Sequence, residues 1–185
     1  MGRLIYSAIA SVDGYTTDTT GSFEWAAPDA EVHAFVNDLE RDIGTYLYGR
    51  RMYETMRVWE DLPGPGDGPV VADYAAVWSA AEKIVYSSTL ASVDTPRTRL
   101  ERRFDVPEVR ALLSGADGDV SIGGPTLAAE AFAAGLIDEV RLILVPVAVG
   151  GGTPALPAGQ RVGLRLRDAR RFGNGTVAVH YSVSD

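Results

Sequence analysis

Runs of apolar residues with strand-like continuity recur along the chain, separated by stretches with helical spacing. Leu4 to Ala10 reads as a buried first strand, ended by Asp13-Gly14. A polar, threonine-rich loop then leads to Trp25. Pro28-Asp29 opens a helix that places Val32, Phe35, Val36 and Leu39 on one face. Tyr46-Leu47-Tyr48 is a short strand stopped by Gly49, with a helix over Arg50 to Met56. Pro69 to Ala80 is helical and runs toward a strand at Lys83 to Tyr86, and Thr98 to Arg102 is a short exposed strand. A helix over Pro107 to Leu113 precedes a buried strand, Val120-Ser121-Ile122, that meets Gly123-Gly124. Pro125 suits the first turn of a helix reaching Ala134, and Val140 to Val147 is strongly strand-like. Asn174-Gly175 lies between two strand-like runs, Leu164 to Phe172 and Thr176 to Val183, which predicts a hairpin closed by a type I′ turn.

Alternation of strands and helices predicts an α/β domain. Crossovers of helical length imply parallel strands and the terminal hairpin adds antiparallel ones, so the sheet is expected to be mixed. The seven residues from Pro63 to Pro69, rich in proline and glycine, form a loop rather than a linker, because the patterns on either side need each other. A single domain over residues 1–185 is therefore expected.

Composition narrows the chemistry. No cysteine is present, which removes disulfides, thiol nucleophiles and cysteine-based metal sites, and two histidines exclude a histidine-rich one. Seventeen basic against 25 acidic residues give a net charge of −8, which argues against a nucleic-acid or anionic-membrane surface. The uncharged stretch from Leu142 to Gln160 is broken by prolines and by Gly150-Gly151-Gly152, so it does not read as a membrane helix. The expectation is a soluble, cytoplasmic protein without nucleic-acid or membrane partners.

Three places share one feature: a strand ends, glycine or serine follows, and a helix or loop begins. They are Gly49-Arg50-Arg51, Ser87-Ser88, and Gly123-Gly124-Pro125-Thr126-Leu127. In an open α/β sheet ligands bind at such ends, where free N–H groups and the helix dipole attract phosphate. Each motif alone also suits an ordinary turn; three within one domain suit a ligand with several phosphates, such as a dinucleotide. For proton transfer the candidates are Asp13, beside a glycine turn that it could equally shape, and Asp29 and Glu31, in a first helical turn where acids are favoured anyway. Trp25, Tyr53 and Trp59 fit a pocket rim or ordinary packing. Neither His33 nor His180 has the partners of a hydrolase triad.

These motifs, in order, resemble the dihydrofolate reductase-like superfamily, and within it stand-alone members of the RibD C-terminal (riboflavin-biosynthesis reductase) family. The resemblance rests on Ser11-Val12-Asp13-Gly14-Tyr15, Leu47 to Glu54, Lys83 to Thr89, Ile122 to Leu127, and Leu136 through Gly152, and spans essentially the whole chain. It implies a three-layer α/β/α fold with a dihydrofolate reductase-like mixed sheet and a C-terminal β-hairpin, NADPH as cofactor, and a homodimer. By that resemblance Gly49, Arg50 and Arg51 meet the adenosine-side phosphates, Ser87 and Ser88 sit near the 2′-phosphate, and Gly123, Gly124, Pro125, Thr126 and Leu127 cradle the pyrophosphate. Ala8 would lie beside the nicotinamide, with Thr17 nearby. The implied activity is NADPH-dependent reduction of a small heterocyclic or phosphorylated substrate, similar to 5-amino-6-(5-phosphoribosylamino)uracil reductase. The competing reading is a nucleotide- or flavin-binding protein of this fold without efficient catalysis. Met52 stands where the family often has a threonine that contacts phosphate; separately, Ala81-Glu82 stands where folate enzymes carry an arginine, which disfavours dihydrofolate as substrate.

Overall fold

The computed structural model describes residues 2–184. Ten strands and five helices follow one another in the order β1 (Leu4–Ser11), β2 (Tyr15–Thr17), α1 (Ala30–Glu40), β3 (Ile43–Gly49), α2 (Arg50–Met56), α3 (Pro69–Ala80), β4 (Glu82–Tyr86) and β5 (Thr98–Glu101), then α4 (Val106–Gly115), β6 (Asp119–Gly123), α5 (Pro125–Ala133), β7 (Glu139–Val145), β8 (Thr153–Pro154), β9 (Gly163–Arg171) and β10 (Val177–Ser184). Eight strands form one sheet in the order β5-β4-β3-β6-β1-β7-β10-β9. The first six in that order are mutually parallel, and the β9–β10 hairpin adds the antiparallel edge. The mixed sheet is the one the sequence pattern predicts, and the three-layer α/β/α arrangement is the one the resemblance implies.

Side chains of successive strand residues point to opposite faces, which builds two cores from one sheet. On one face Leu4, Tyr6, Leu47, Ile84, Val120, Ile122 and Val140 pack against α4 and α5 through Val109, Leu113, Leu127, Ala131 and Phe132. Tyr6 meets Phe132 edge-on at 5.6 Å and donates its hydroxyl to the Ala155 carbonyl at 2.6 Å. On the other face Ile5, Tyr46, Tyr48 and Val85 pack with Tyr53, Tyr74 and Trp78, and Val32 of α1 meets Ile143 and Phe172. Lys83 is buried there too; its ammonium lies 4.1 Å from the Trp78 ring centre and donates to the Trp78 carbonyl at 3.0 Å.

Three local expectations change. The strand around Tyr46 is longer than its apolar core, because Ile43 and Thr45 pair with β6, and Thr45 also with β4. The threonine-rich loop contributes β2, paired with β8 in a second, two-stranded sheet too short to leave a periodic signal. The terminal hairpin is not closed by a type I′ turn. Phe172 N–H donates to Thr176 O at 2.9 Å and Gly175 N–H donates to Phe172 O at 3.2 Å, so three residues form the loop. Gly175 alone is left-handed (φ +89°); among the described residues the only non-glycine with positive φ is Arg97. Asn174 instead accepts from Thr176 N–H at 2.9 Å, which suits a type I turn followed by a left-handed glycine.

The three consecutive glycines 150–152 all have positive φ and bring the chain back against β2. At Gly152 (φ +136°) a Cβ would overlap the Thr17 carbonyl oxygen, whereas at Gly21 (φ +85°) it would meet nothing within 4 Å. Strain of this kind costs roughly 1–3 kcal/mol for backbone conformation alone. Gly152→Ala is therefore expected to lower the urea unfolding midpoint clearly more than Gly21→Ala, since only the former must also displace β2. Equal losses would mean that the Gly152–Thr17 contact yields without cost.

Candidate functional site

Because β4, β3, β6, β1 and β7 are parallel, their C-terminal ends share one edge of the sheet. The register places Gly49 opposite Tyr86, and Tyr48 opposite Gly123. This edge therefore gathers Gly49-Arg50-Arg51, Ser87-Ser88 and Gly123-Gly124 side by side, although they are far apart in the sequence.

Two helices start here directly from strands. Gly49 is the N-cap of α2 and Gly124 the N-cap of α5, and neither helix has a side-chain cap. By contrast, α1 and α4 are capped by Asp29 and Asp105, whose carboxylates accept from Val32 N–H at 2.9 Å and Glu108 N–H at 3.2 Å. The first amides of α2 and α5 are thus left for an outside acceptor, and the helix dipoles favour an anion there. Helix α3 is also uncapped, but it begins from the loop after Glu60 rather than from a strand end. Glycine is needed at this edge for space. A Cβ at Gly123 would lie 3.0 Å from the Tyr48 ring, and one at Gly124, whose φ is +91°, would lie 3.3 Å from Met52 Cβ. Met52 packs over the Gly-Gly turn, in the position where a threonine hydroxyl would have offered a further donor.

The remaining candidates divide by how free their polar groups are. Arg51 is exposed and has no ion pair among the described residues, while Arg50 is held by Glu54 at 2.7 Å and reaches the Thr89 hydroxyl at 3.3 Å. Thr89 was not a sequence candidate; a threonine after a strand carries no special signal. Ser87 is buried and its oxygen accepts from the amides of Thr89 and Leu90 at 3.3 and 3.0 Å, so it shapes the turn, and Ser88 is the exposed member of the pair. Thr126 is exposed on the first turn of α5, Pro125 has no N–H, and Leu127 is in the core. Ala8 lies in the middle of β1 opposite Leu142, and Thr17 bonds the Thr153 hydroxyl at 2.9 Å.

The acidic candidates all hold backbone amides. Asp13, at the end of β1, accepts from Val149 N–H at 3.1 Å and Gly150 N–H at 2.7 Å. The neighbouring Ser11 hydroxyl, together with these amides, keeps its carboxyl below the usual carboxylate range. Asp29 is the α1 cap, and Glu31 accepts from Gly173 N–H at 3.3 Å and pairs with Arg170 at 3.6 Å. Of the three aromatic candidates, Tyr53 is buried and donates to Asp94 at 3.0 Å, and Trp25 Nε1–H donates to the Ser22 carbonyl at 3.2 Å. Trp59 instead meets Tyr74 at 4.5 Å and His33 at 5.8 Å. That half-buried cluster joins the start of α1 to the turn Arg57–Glu60. A lone histidine on a helix gave no hint of it. Burial pushes the His33 imidazole below its ordinary value, against the pull of Asp73.

Two surface hollows, of about 340 and 510 Å³, lie elsewhere, one beside Arg41 and Ala80 and the other beside Phe132 and Val183. Among the described residues no group of acidic or histidine side chains is placed to hold a metal ion, and no helix is long and apolar enough to cross a membrane.

Comparison with known proteins places this arrangement. The protein YyaP of Bacillus subtilis strain 168, itself uncharacterized, is 26% identical over 182 residues, 97% of this chain and 94% of that one. A putative riboflavin biosynthesis protein from Shewanella sp. PV-4 shares the fold with a TM-score of 0.75 at 18% identity, over 99% of both chains. Dihydrofolate reductase from Enterococcus faecalis, solved with NADP(H), shares it with a TM-score of 0.64 at 16% identity, over 100% of this chain and 98% of that one. The model of the RibD C-terminal domain matches residues 3–178, and the chain belongs to that family.

Proposed function

We propose that the protein is an NADPH-dependent reductase of a small heterocyclic or phosphorylated substrate, of the kind the riboflavin pathway uses. The observation that carries this reading is the pair of uncapped helix starts, at Gly49 and Gly124, on neighbouring parallel strands. A dinucleotide fits such an edge: amides at the start of α5, with the Thr126 hydroxyl, would hold the pyrophosphate, and Arg50, Arg51 and Ser88 would hold the 2′-phosphate. Family membership, and the NADP(H) bound to the dihydrofolate reductase that shares the fold, support the same cofactor.

Bound NADPH would supply a hydride; the chain's own task is to orient and to exclude water. Ala8, a small residue in mid-strand, leaves room for a flat ring beside β1. Thr17 and the glycine bend at 150–152 fix the loop that borders it. Asp13, held ionised by two amides, is suited to anchor that loop and to order water or a substrate donor at the cleft, rather than to release a proton itself. Asp29 and Glu31 hold the start of α1 in place in the same way. Because all three acids are engaged with backbone, a cofactor-binding protein without turnover is the second reading. Oxidation of NADPH in the presence of a panel of carbonyl and imine acceptors separates the two.

Two variants test the cradle by fluorescence titration. Replacing Arg50 and Arg51 together by alanine should weaken NADPH at least tenfold more than NADH, because loss of a charge-assisted phosphate contact is worth roughly 1.5–3 kcal/mol. Gly124→Ala should weaken both cofactors alike, since it crowds the amides that neither cofactor can do without. Equal losses of the two cofactors in the arginine variant would remove the 2′-phosphate assignment. Unchanged binding in a folded Gly124→Ala variant would remove the pyrophosphate assignment.

A further inference from the structure

Four arginines lie between residues 97 and 103, on and around β5, which forms the edge of the sheet beyond β4. Three of them pair with acids: Arg97 with Glu82 at 3.1 Å, Arg99 with Glu101 at 3.2 Å and Arg103 with Asp105 at 3.4 Å. Arg102 has no ion pair among the described residues. Its guanidinium donates instead to three backbone carbonyls, those of Leu90 at 2.5 Å, Ala91 at 3.4 Å and Ser87 at 3.5 Å. These carbonyls belong to the turn that leaves β4 and carries Ser88 and Thr89, both exposed. The parallel register sets Glu101 opposite Tyr86, and Ser87 N–H donates to the Glu101 carbonyl at 2.9 Å. Arg102 therefore starts from the same sheet edge as that turn. From the other side, Arg50 reaches the Thr89 hydroxyl at 3.3 Å.

Neutral carbonyls satisfy the donors of a guanidinium without cancelling its charge. The contacts above engage Nη1 and one Nη2 donor, so Nε–H and a second Nη2 N–H have no protein partner among the described residues. Arg50 on the far side of the turn is matched by Glu54, so Arg51 and Arg102 are the arginines of this corner without a carboxylate. We propose that Arg102 is a specificity-determining residue for the cofactor's 2′-phosphate: it fixes the turn that presents Ser88 and Thr89, and its uncancelled charge and remaining donors serve that phosphate from the β5 side. The inference rests on the reading of this edge as an NADPH site and adds to it a second cation that no acid neutralises. NADH carries a hydroxyl in place of the phosphate and gains little from such a charge.

The test titrates the wild type, Arg102→Ala and Arg103→Ala with NADPH and with NADH by fluorescence, at low and at high salt. Arg102→Ala should lower the preference for NADPH over NADH by about tenfold, the loss of one charge-assisted phosphate contact. What preference remains should also fall less steeply with salt, because one of the screened charges is gone. Arg103→Ala, which removes a neighbouring arginine already paired with Asp105, should leave the preference unchanged. A preference that Arg102→Ala leaves intact, or lowers without altering its salt dependence, overturns the inference, since holding the turn requires no charge at the phosphate. An equal loss in Arg103→Ala overturns it too, as the mark of diffuse charge alone. A wild type without any preference for NADPH overturns the cofactor reading and this inference with it, whereas a wild type that prefers NADPH beside an unaffected Arg102→Ala overturns only the role of Arg102. If the alanine variant fails to fold, the NMR signal of the Arg102 side-chain N–H in the wild type decides. A shift with NADPH and none with NADH supports the inference, and the same response to both overturns it.

Discussion

Parallel pairing is the constraint from which the rest of this molecule follows. A parallel strand cannot be reached by a tight turn, so the chain must return along the sheet before each new strand begins. Here the return is made by α1, by α2 with α3, by α4 and by α5, which cover both faces and bury the two cores, and between β4 and β5 by the loop 87–97. The same geometry puts every strand-to-helix turn on one edge. The polar ends of the backbone, which the cores cannot satisfy, are thus collected where a ligand can satisfy them.

How those ends are treated distinguishes the site from the scaffold. Of the helices that cover the sheet, α1 and α4 have an aspartate closing the first turn, Asp29 and Asp105, while α3 starts uncapped from a loop rather than from a strand end. At Gly49 and Gly124 the sequence provides no such side chain, and Tyr48 and Met52 crowd the Gly123-Gly124 turn, where a Cβ would come within 3.0 to 3.3 Å of them. A helix cap contributes about 1 kcal/mol. Forgoing two of them on adjacent strands, beside an Arg51 with no ion pair among the described residues, is intelligible as readiness for an anion.

Much of this was legible in the sequence. Continuous apolar runs marked β1, β4, β6 and β7 because strands buried on both faces need no alternation, and Pro125 and Pro69 marked helix starts. The strand ends at Gly49, Ser87 and Gly123 were legible for the same reason. What escaped depended on contacts between distant segments. Pairing of Tyr15–Thr17 with Thr153–Pro154, the clasp of Asp13 on the 149–150 amides, and the meeting of His33 with Trp59 leave no local pattern. The hairpin turn was misread because Asn174-Gly175 has the composition of a two-residue loop, whereas the ladder closes one residue earlier, at Phe172. Ser87 and Ser88 looked equivalent, and only the fold shows that one of them is spent on its own turn.

The central claim is that the shared strand edge is a dinucleotide phosphate site. Calorimetric titration of the wild-type protein with NADPH and with NADH tests it most directly. The account predicts one site per chain and NADPH binding at least tenfold tighter than NADH, with the preference shrinking as salt screens the arginines. Absence of binding by either dinucleotide, in protein shown to be folded, would contradict it.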